Sequence, residues 1–335
     1  LNELANQLCQ QGSEKGLKTS RELKKQLTRI HQYATHYARN RRLKYGIPLA
    51  IVLACVAYAT AKQLPTAMKE RHRAIAEAMR RHKAFTIPKL DLRMLWVPPG
   101  SFGMGAPSDE PGSSDNERPI RDITLTTGYW LGACEITNRQ YRILKKSPLK
   151  CADDQAGVPI HHVSWYDAMD YCQRLNAQEE LAGRLPQGFH YTLPTEAQWE
   201  YACRAGTRST LPNGDLTILG LEYAPELDPI AWYQGNSFFP LDRSSQPTAF
   251  VFQRTTGPHP VGQKAPNSWG FYDMIGNMSE WCLDWFNYYS TKNVIDPLCR
   301  DPANGLSRTK VIRGGNWDDG ARFCRSAERG RNPRG

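Results

Sequence analysis

Cysteine and histidine are the residues with the most chemistry to offer in this chain. Among 335 residues there are nine cysteines and eight histidines. The odd cysteine count leaves at least one thiol outside any set of intrachain disulfides, and Cys55 lies inside an apolar run. A close pair of thiolates is what a soft ion such as Cu(I) requires. His161 and His162 are the adjacent imidazoles. In an extended segment successive side chains point to opposite faces, so this pair is expected to diverge and to form a polar strand end.

Two helices are legible around these residues. VSWYDAMDYCQRLNAQ (163–178) offers Ser164 as N-cap and Asp167 three positions on, with Ala168, Tyr171, Cys172 and Leu175 on one face. TEAQWEYACRAG (195–206) repeats the design: Thr195 caps, Trp199, Ala202 and Cys203 point inward, and Gly206 stops the helix. Thr137 is a third cap, for a helix beginning at Asn138. LRMLWVPPGSFGMG (92–105) reads as a hairpin turned by Pro-Pro-Gly, and ITLTTGYWLGACEIT (123–137) alternates like strands.

The charge is unevenly spread. Residues 1–90 hold 18 Lys and Arg against 5 Asp and Glu, whereas residues 91–335 hold 25 against 28. The formal charge of +10 therefore belongs to the first quarter, and a nucleic-acid-binding domain is not expected. All nine Trp and 43 of the 49 Gly and Pro lie after residue 90. The chain divides into a basic helical extension (1–44), an uncharged run (45–61), a charged stalk (62–90) and an aromatic, turn-rich domain (91–335). Collagen, general disorder and a multi-span membrane protein are excluded.

YGIPLAIVLACVAYATA (45–61) is 17 residues long, apolar all round, and bracketed by Arg41, Arg42 and Lys44 before and Lys62, Lys69 and Arg71 after. That pattern predicts a single membrane-spanning helix in contact with lipid, left uncleaved despite Ala59-Thr60-Ala61. Five Lys and Arg in 26–45 and six in 62–81 give no orientation by charge. Leu23, Leu27, Ile30, Ala34 and Tyr37 form a helical stripe that either docks a protein partner, alongside the span, or lies solvated.

At this level of detail the domain resembles a known family. WVPPGSFGMG, GYWLGACEITNRQY, VSWYDAMDYC, LPTEAQWEYACRAG, PVGQKAPNSWGFYDMIGNMSEWCLDW and VIRGGNWDDGARFCRSAER occur in order over 92–329. Together they are similar to the formylglycine-generating enzyme, or sulfatase-modifying factor, domain. The resemblance implies an irregular α+β fold related to C-type lectins, with little regular secondary structure. Active members oxidise a sulfatase cysteine with copper held by two cysteines after an Arg-Gly-Gly segment. Counted from the glycines without gaps, Asp319 stands where the first thiol is expected and Cys324 where the second is; aligned on CRSAER, Cys324 is the structural cysteine that follows and both thiols are absent. In neither alignment is there a pair, so no catalytic residue and no copper are expected. A second activity of the superfamily, sulfoxide synthesis on histidine betaines, needs an H-x3-H-x-E iron site that His161-His162 does not supply.

The resemblance also implies a calcium loop in FYDMIGNMSEW (271–281). Asp273 and Glu280 would supply carboxylates, and Gly276 and Met278 backbone carbonyls, all hard oxygen donors. The alternative is a tight turn in which Glu280 caps backbone N–H groups and Asp273 makes a surface salt bridge. Cys203 and Cys324 match a structural disulfide of the family, which would place the domain in an oxidising space such as the periplasm, beyond a bacterial inner membrane. The expected role is a non-catalytic binding or assembly module, as an accessory subunit or sensor. Its rivals are a copper-dependent formylglycine-generating oxidase and a C-type-lectin-like receptor whose face is Asn316, Trp317, Asp318, Asp319 and Phe323.

Overall fold

The computed structural model describes residues 83–145, 155–220, 223–238, 256–302 and 308–333. The expected extension, the 45–61 span and residues 62–82 of the stalk lie outside them, whereas the end of the expected stalk, 83–90, holds the strand Phe85–Ile87 and so belongs to the domain. Among the described residues no helix is long and apolar enough to cross a membrane.

Three small sheets carry the domain. The first orders β1 (Phe85–Ile87), β2 (Leu92–Val97) and β5 (Tyr129–Gly132) antiparallel. The second joins β3 (Gly100–Met104) to β4 (Arg121–Leu125), with β7 (Val294–Ile295) parallel to β4. The third orders β6 (Glu280–Trp285), β8 (Thr309–Arg313) and β9 (Gly330–Pro333). The hairpin expected over 92–105 is thus corrected: β2 and β3 belong to different sheets. Pro98 and Pro99 carry no N–H for a ladder, and they hand the chain from one sheet to the next.

Three helices bring the remaining surfaces together: α1 (Asn138–Lys145), α2 (Trp165–Leu181) and α3 (Glu196–Arg204). Each starts where its cap predicts. Thr137 Oγ1 accepts from Gln140 N, Ser164 from Asp167 N and Thr195 from Gln198 N, each with a reciprocal bond from the third residue. At the end of α3 it is Ala205, at φ +48°, that first enters the left-handed region, ahead of Gly206.

The larger apolar core gathers Trp199, Tyr233, Phe271 and Phe286 between α3 and the third sheet. A second core of Phe85, Leu92, Met94, Tyr141, Tyr171 and Leu175 lies between the first sheet and α1–α2. Arginines are buried with them. Arg313 and Arg325 are fully buried, which is tolerable only because each is paired. Arg313 reaches Glu200 and the carbonyls of Ser326 and Ala327. Arg325 bonds Glu110 and Glu117 at 2.7 Å and Glu328 at 2.9 Å, while Arg329 bonds Glu196 at 2.6 Å. Burial raises the Glu117 and Glu196 carboxyls, but Arg325 on one and Arg329 with Arg313 on the other outweigh it and hold both below the usual range.

Candidate functional site

The acidic turn 271–281 and the Gly-Gly loop 313–324 are 40 residues apart in sequence and lie side by side in space. Gly276 N donates to Gly314 O at 2.8 Å, and Trp317 N donates to Asn277 O at 3.0 Å. The two stretches that the sequence singles out are therefore one place.

The turn is built around tight backbone. Asp273 and Asn277 both take φ +54°, and Gly276 takes +75°. A Cβ at Gly276 would stand 2.3 Å from the Trp232 carbonyl, so only glycine closes this turn. Asn277 is its internal tie: it donates to Glu135 Oε2 at 2.8 Å and to His259 O at 3.1 Å, and accepts from His259 N at 2.9 Å.

Of the four expected calcium ligands, Asp273 is buried at 3% exposure. Its Oδ2 accepts from Gly262 N at 2.7 Å, and its Oδ1 is buried with no partner among the described residues. Glu280 accepts an indole proton from Trp199 Nε1 at 3.0 Å. Met278 N donates to Glu135 Oε1 at 2.7 Å. The turn alternative is not matched in detail: Asp273 is not on the surface, and Glu280's carboxylate accepts from an indole rather than from backbone.

Glu135 is the residue that sequence reasoning missed. It sits at the end of β5's continuation, 143 positions from Met278, and no local pattern announces that contact. Burial pushes Asp273 up to about 6 and Glu280 up to about 7, the latter with help from the Asp273 charge. Burial, with the Asp273 and Glu280 charges behind it, raises Glu135 well above its usual range. Lys264 moderates Asp273, while its own ammonium lies 3.8 Å over the Trp232 ring and donates to Asp228 O. Three carboxylates thus share one poorly compensated space. Among the described residues no three His, Cys, Asp or Glu side chains are arranged to hold a metal by themselves. A cation here would need the backbone carbonyls as well, as the sequence reading supposes.

The Gly-Gly loop is built differently. A Cβ at Gly315, φ +69°, would meet Phe323 O at 2.6 Å and Cys324 Sγ at 3.1 Å, so glycine lets the loop fold onto itself. Asp319, at the position where a copper thiol is expected, holds the loop shut. Its Oδ2 accepts from Asn316 N at 2.9 Å and Asn316 Nδ2 at 2.5 Å, and Asp318 N donates to Asn316 Oδ1 at 2.8 Å. Trp317 is half-buried, whereas Asp318 and Phe323 are exposed and could meet a ligand.

Cys324 and Cys203 are both fully buried. The expected bond between them is not formed in this structure. Burial pushes the Cys203 thiol up to about 12, and a hydrogen bond with Ser326 acts against that rise. The other correction concerns His161 and His162. Their side chains do not diverge: His162 takes φ +55°, which breaks the extended run, and the two Nδ1 atoms come within 2.7 Å. Burial, then the neighbouring imidazole, lowers His161.

Comparison with known proteins fits this construction. The sulfatase-modifying factor enzyme 1-like domain matches residues 81–335. The formylglycine-generating enzyme of Mus musculus is 28% identical over 298 residues, covering 72% of this chain and 71% of that one. The serine/threonine-protein kinase Pkn1 of Chlamydia trachomatis is 28% identical over 266 residues, 71% of this chain but 35% of the kinase. PvdO from Pseudomonas aeruginosa superposes with a TM-score of 0.57 at 24% identity, covering 76% of this chain and 93% of its own. That likeness supports the mixed α/β fold with few helices.

Proposed function

The chain belongs to the sulfatase-modifying factor enzyme 1-like family, and from that premise we propose that its domain works as a non-catalytic binding or assembly module. One observation carries this reading. The position aligned with the first copper thiol is Asp319, whose carboxylate is spent on closing its own loop, and Cys324 is buried beneath that loop. Hard, hydrogen-bonded oxygen at one position and a buried sulfur at the other do not make the two-thiolate site that Cu(I) favours. The described residues do not fit copper, and no step is routed through it. The exposed residues of the same loop, Asp318 and Phe323, are proposed to meet a partner.

Calcium is proposed as a structural ion of the adjoining turn. Asp273 and Glu280 would hold it with the carbonyls of Gly276 and Met278, and the orphaned Oδ1 of Asp273 is the atom that fits a cation. A bound Ca2+ would supply charge compensation to the buried carboxylates. The uncharged 45–61 run supports the further proposal that the domain is tethered to a membrane as an accessory subunit or sensor. An extracytoplasmic position would need a Cys203–Cys324 bond, which this structure does not contain.

The test of the central reading is direct. The full chain, incubated with copper, oxygen and a sulfatase-motif peptide, is expected to leave the peptide cysteine unchanged by mass spectrometry. Conversion of that cysteine to an aldehyde establishes the oxidase instead.

A further inference from the structure

The second core is not completely filled. Between the first sheet and α1–α2 lies a cavity of about 460 Å3, walled by Leu92, Met94, Trp130, Tyr171, Leu175 and Met278. That is within the roughly 300–1,000 Å3 of small-molecule sites, which are mostly apolar with a few polar groups. Its rim includes the exposed segment Gly188-Phe189-His190, and Phe189 meets Trp130 edge-on at 5.4 Å.

Besides hydroxyls, thiols, the Gln198 amide and the His190 imidazole on its rim, its polar lining holds two carboxyl groups. No Lys or Arg is among its described lining residues, whereas the carboxylates of Glu135 and Glu280 are at one end. Both already accept hydrogen bonds from protein donors, Glu135 from Asn277 and Met278 and Glu280 from Trp199. An anionic head group thus finds no Lys or Arg counter-charge among the described lining residues. The Tyr171 ring stacks on Tyr141 at 5.7 Å, and its hydroxyl is buried with no hydrogen-bond partner among the described residues. An unsatisfied buried hydroxyl costs on the order of 1–3 kcal/mol, and a ligand hydroxyl or carbonyl would recover that cost.

We propose that this cavity binds an uncharged, largely apolar small molecule bearing one hydroxyl or carbonyl group, of the chemical class of a medium-chain alcohol. The apolar walls take the body, and the Tyr171 hydroxyl takes the polar end. The cavity shares Met278 and Glu280 with the turn proposed to hold calcium, but none of its lining lies in the Gly-Gly loop, so it stands or falls independently of the binding face.

Cys172 lines the same cavity on α2, half-buried, and reports its occupancy. In the purified full chain, N-ethylmaleimide modification of Cys172 is followed by mass spectrometry with and without dodecan-1-ol. The alcohol is expected to slow modification saturably, by about tenfold when present at roughly ten times its Kd. Laurate and dodecyltrimethylammonium are expected to protect far less. Ala168→Phe, which fills the cavity from α2, is expected to protect Cys172 without any alcohol, and Leu175→Phe serves if the first variant does not fold. Absence of saturable protection by dodecan-1-ol overturns the proposal. So does equal protection by laurate or by the cationic amphiphile. Because burial holds the Cys172 thiol up to about 12, the modification is followed at alkaline pH, where wild type reacts measurably.

Discussion

Two groups of buried carboxylates lie within this domain, and they are treated in opposite ways. Glu117, Glu196 and Glu200 each meet a guanidinium, from Arg325, Arg329 and Arg313 respectively. Glu135, Asp273 and Glu280 meet an indole, backbone N–H groups and one amide, with Lys264 acting only on Asp273. Burial is the largest influence on Glu117 and Glu196, as it is on the second set. In the first the guanidinium charges outweigh it for Glu117 and Glu196, and in the second nothing does. A paired set of buried charges locks chain segments together; an unpaired set is a place where a cation is missing its energetic reason to stay away. The contrast separates scaffold from candidate site without any appeal to relatives.

The largest effect should come from breaking the paired set. Arg325→Ala leaves Glu110, Glu117 and Glu328 buried around a void. Breaking a buried pair by removing one partner costs about 3–5 kcal/mol, and here three acids lose their partner at once. Thermal melting of the variant at pH 7 should show that loss. The Glu117 carboxyl is held below its usual range, so its contribution to stability is present above the unfolded pKa and fades as pH falls through the folded one. The gap between wild type and Arg325→Ala should therefore narrow in acid. A gap that is unchanged at low pH would show that packing, not charge, is what Arg325 supplies.

The unpaired set should respond to calcium and to pH in the reverse sense. Asp273 has its carboxyl raised to about 6 by burial, so the folded state holds its proton more tightly than the unfolded state. Stability without a cation must then fall as pH rises from about 4 through 6, a shift of roughly two pKa units and on the order of 3 kcal/mol. Calcium should remove that fall, adding ~2.7 kcal/mol at a hundred times its Kd. Asp273→Asn and Glu280→Ala should each narrow the difference in melting temperature between calcium and chelator. Identical melting of wild type in both would return the turn to a purely structural role.

How much of this was readable beforehand depends on the range of the contact. The caps at Thr137, Ser164 and Thr195 act over three residues, and all three helices begin there. The acidic turn and the Gly-Gly loop were visible as motifs, but their hydrogen-bonded junction was not. Arg325 meets Glu110 across 215 positions and Glu135 meets Met278 across 143. No periodicity encodes such pairings; they follow from how three small sheets are stacked. The Pro-Pro step misled for the same reason. A local turn signal says that the chain bends, and only the tertiary packing says which sheet it bends toward.

The two buried thiols sharpen the comparison further, because they separate the scaffold from a crosslink. Cys203→Ser and Cys324→Ser each place a hydroxyl among fully buried neighbours. As independent thiols the two changes should add, within about 0.5 kcal/mol, in a double-mutant cycle. As a disulfide formed in an oxidising space, either single change should cost as much as both together. The bond closing 203 to 324 would contribute ~4–5 kcal/mol at most by loop entropy. Peptide mapping without reductant on chain taken directly from cells decides which case holds, and with it whether the proposed extracytoplasmic position stands.

The smallest effect belongs to Asp319, and it bears most closely on function. Its carboxylate closes the loop through two bonds from Asn316. Asp319→Ala removes the one oxygen that accepts both bonds at a half-buried site, so the expected cost is about 1–2 kcal/mol, read as a modest drop in melting temperature. Asp319→Cys tests the copper argument from the other side. It places sulfur at the position aligned with the family's first thiol while Cys324 remains buried under the loop, and the Asn316 donors lose their charged acceptor. If burial of Cys324 is what prevents catalysis, the variant should bind Cu(I) no more tightly than wild type and should still leave a sulfatase-motif peptide unchanged. Aldehyde formation by Asp319→Cys would instead show that the loop opens readily and that one missing thiol is all that separates this chain from an oxidase.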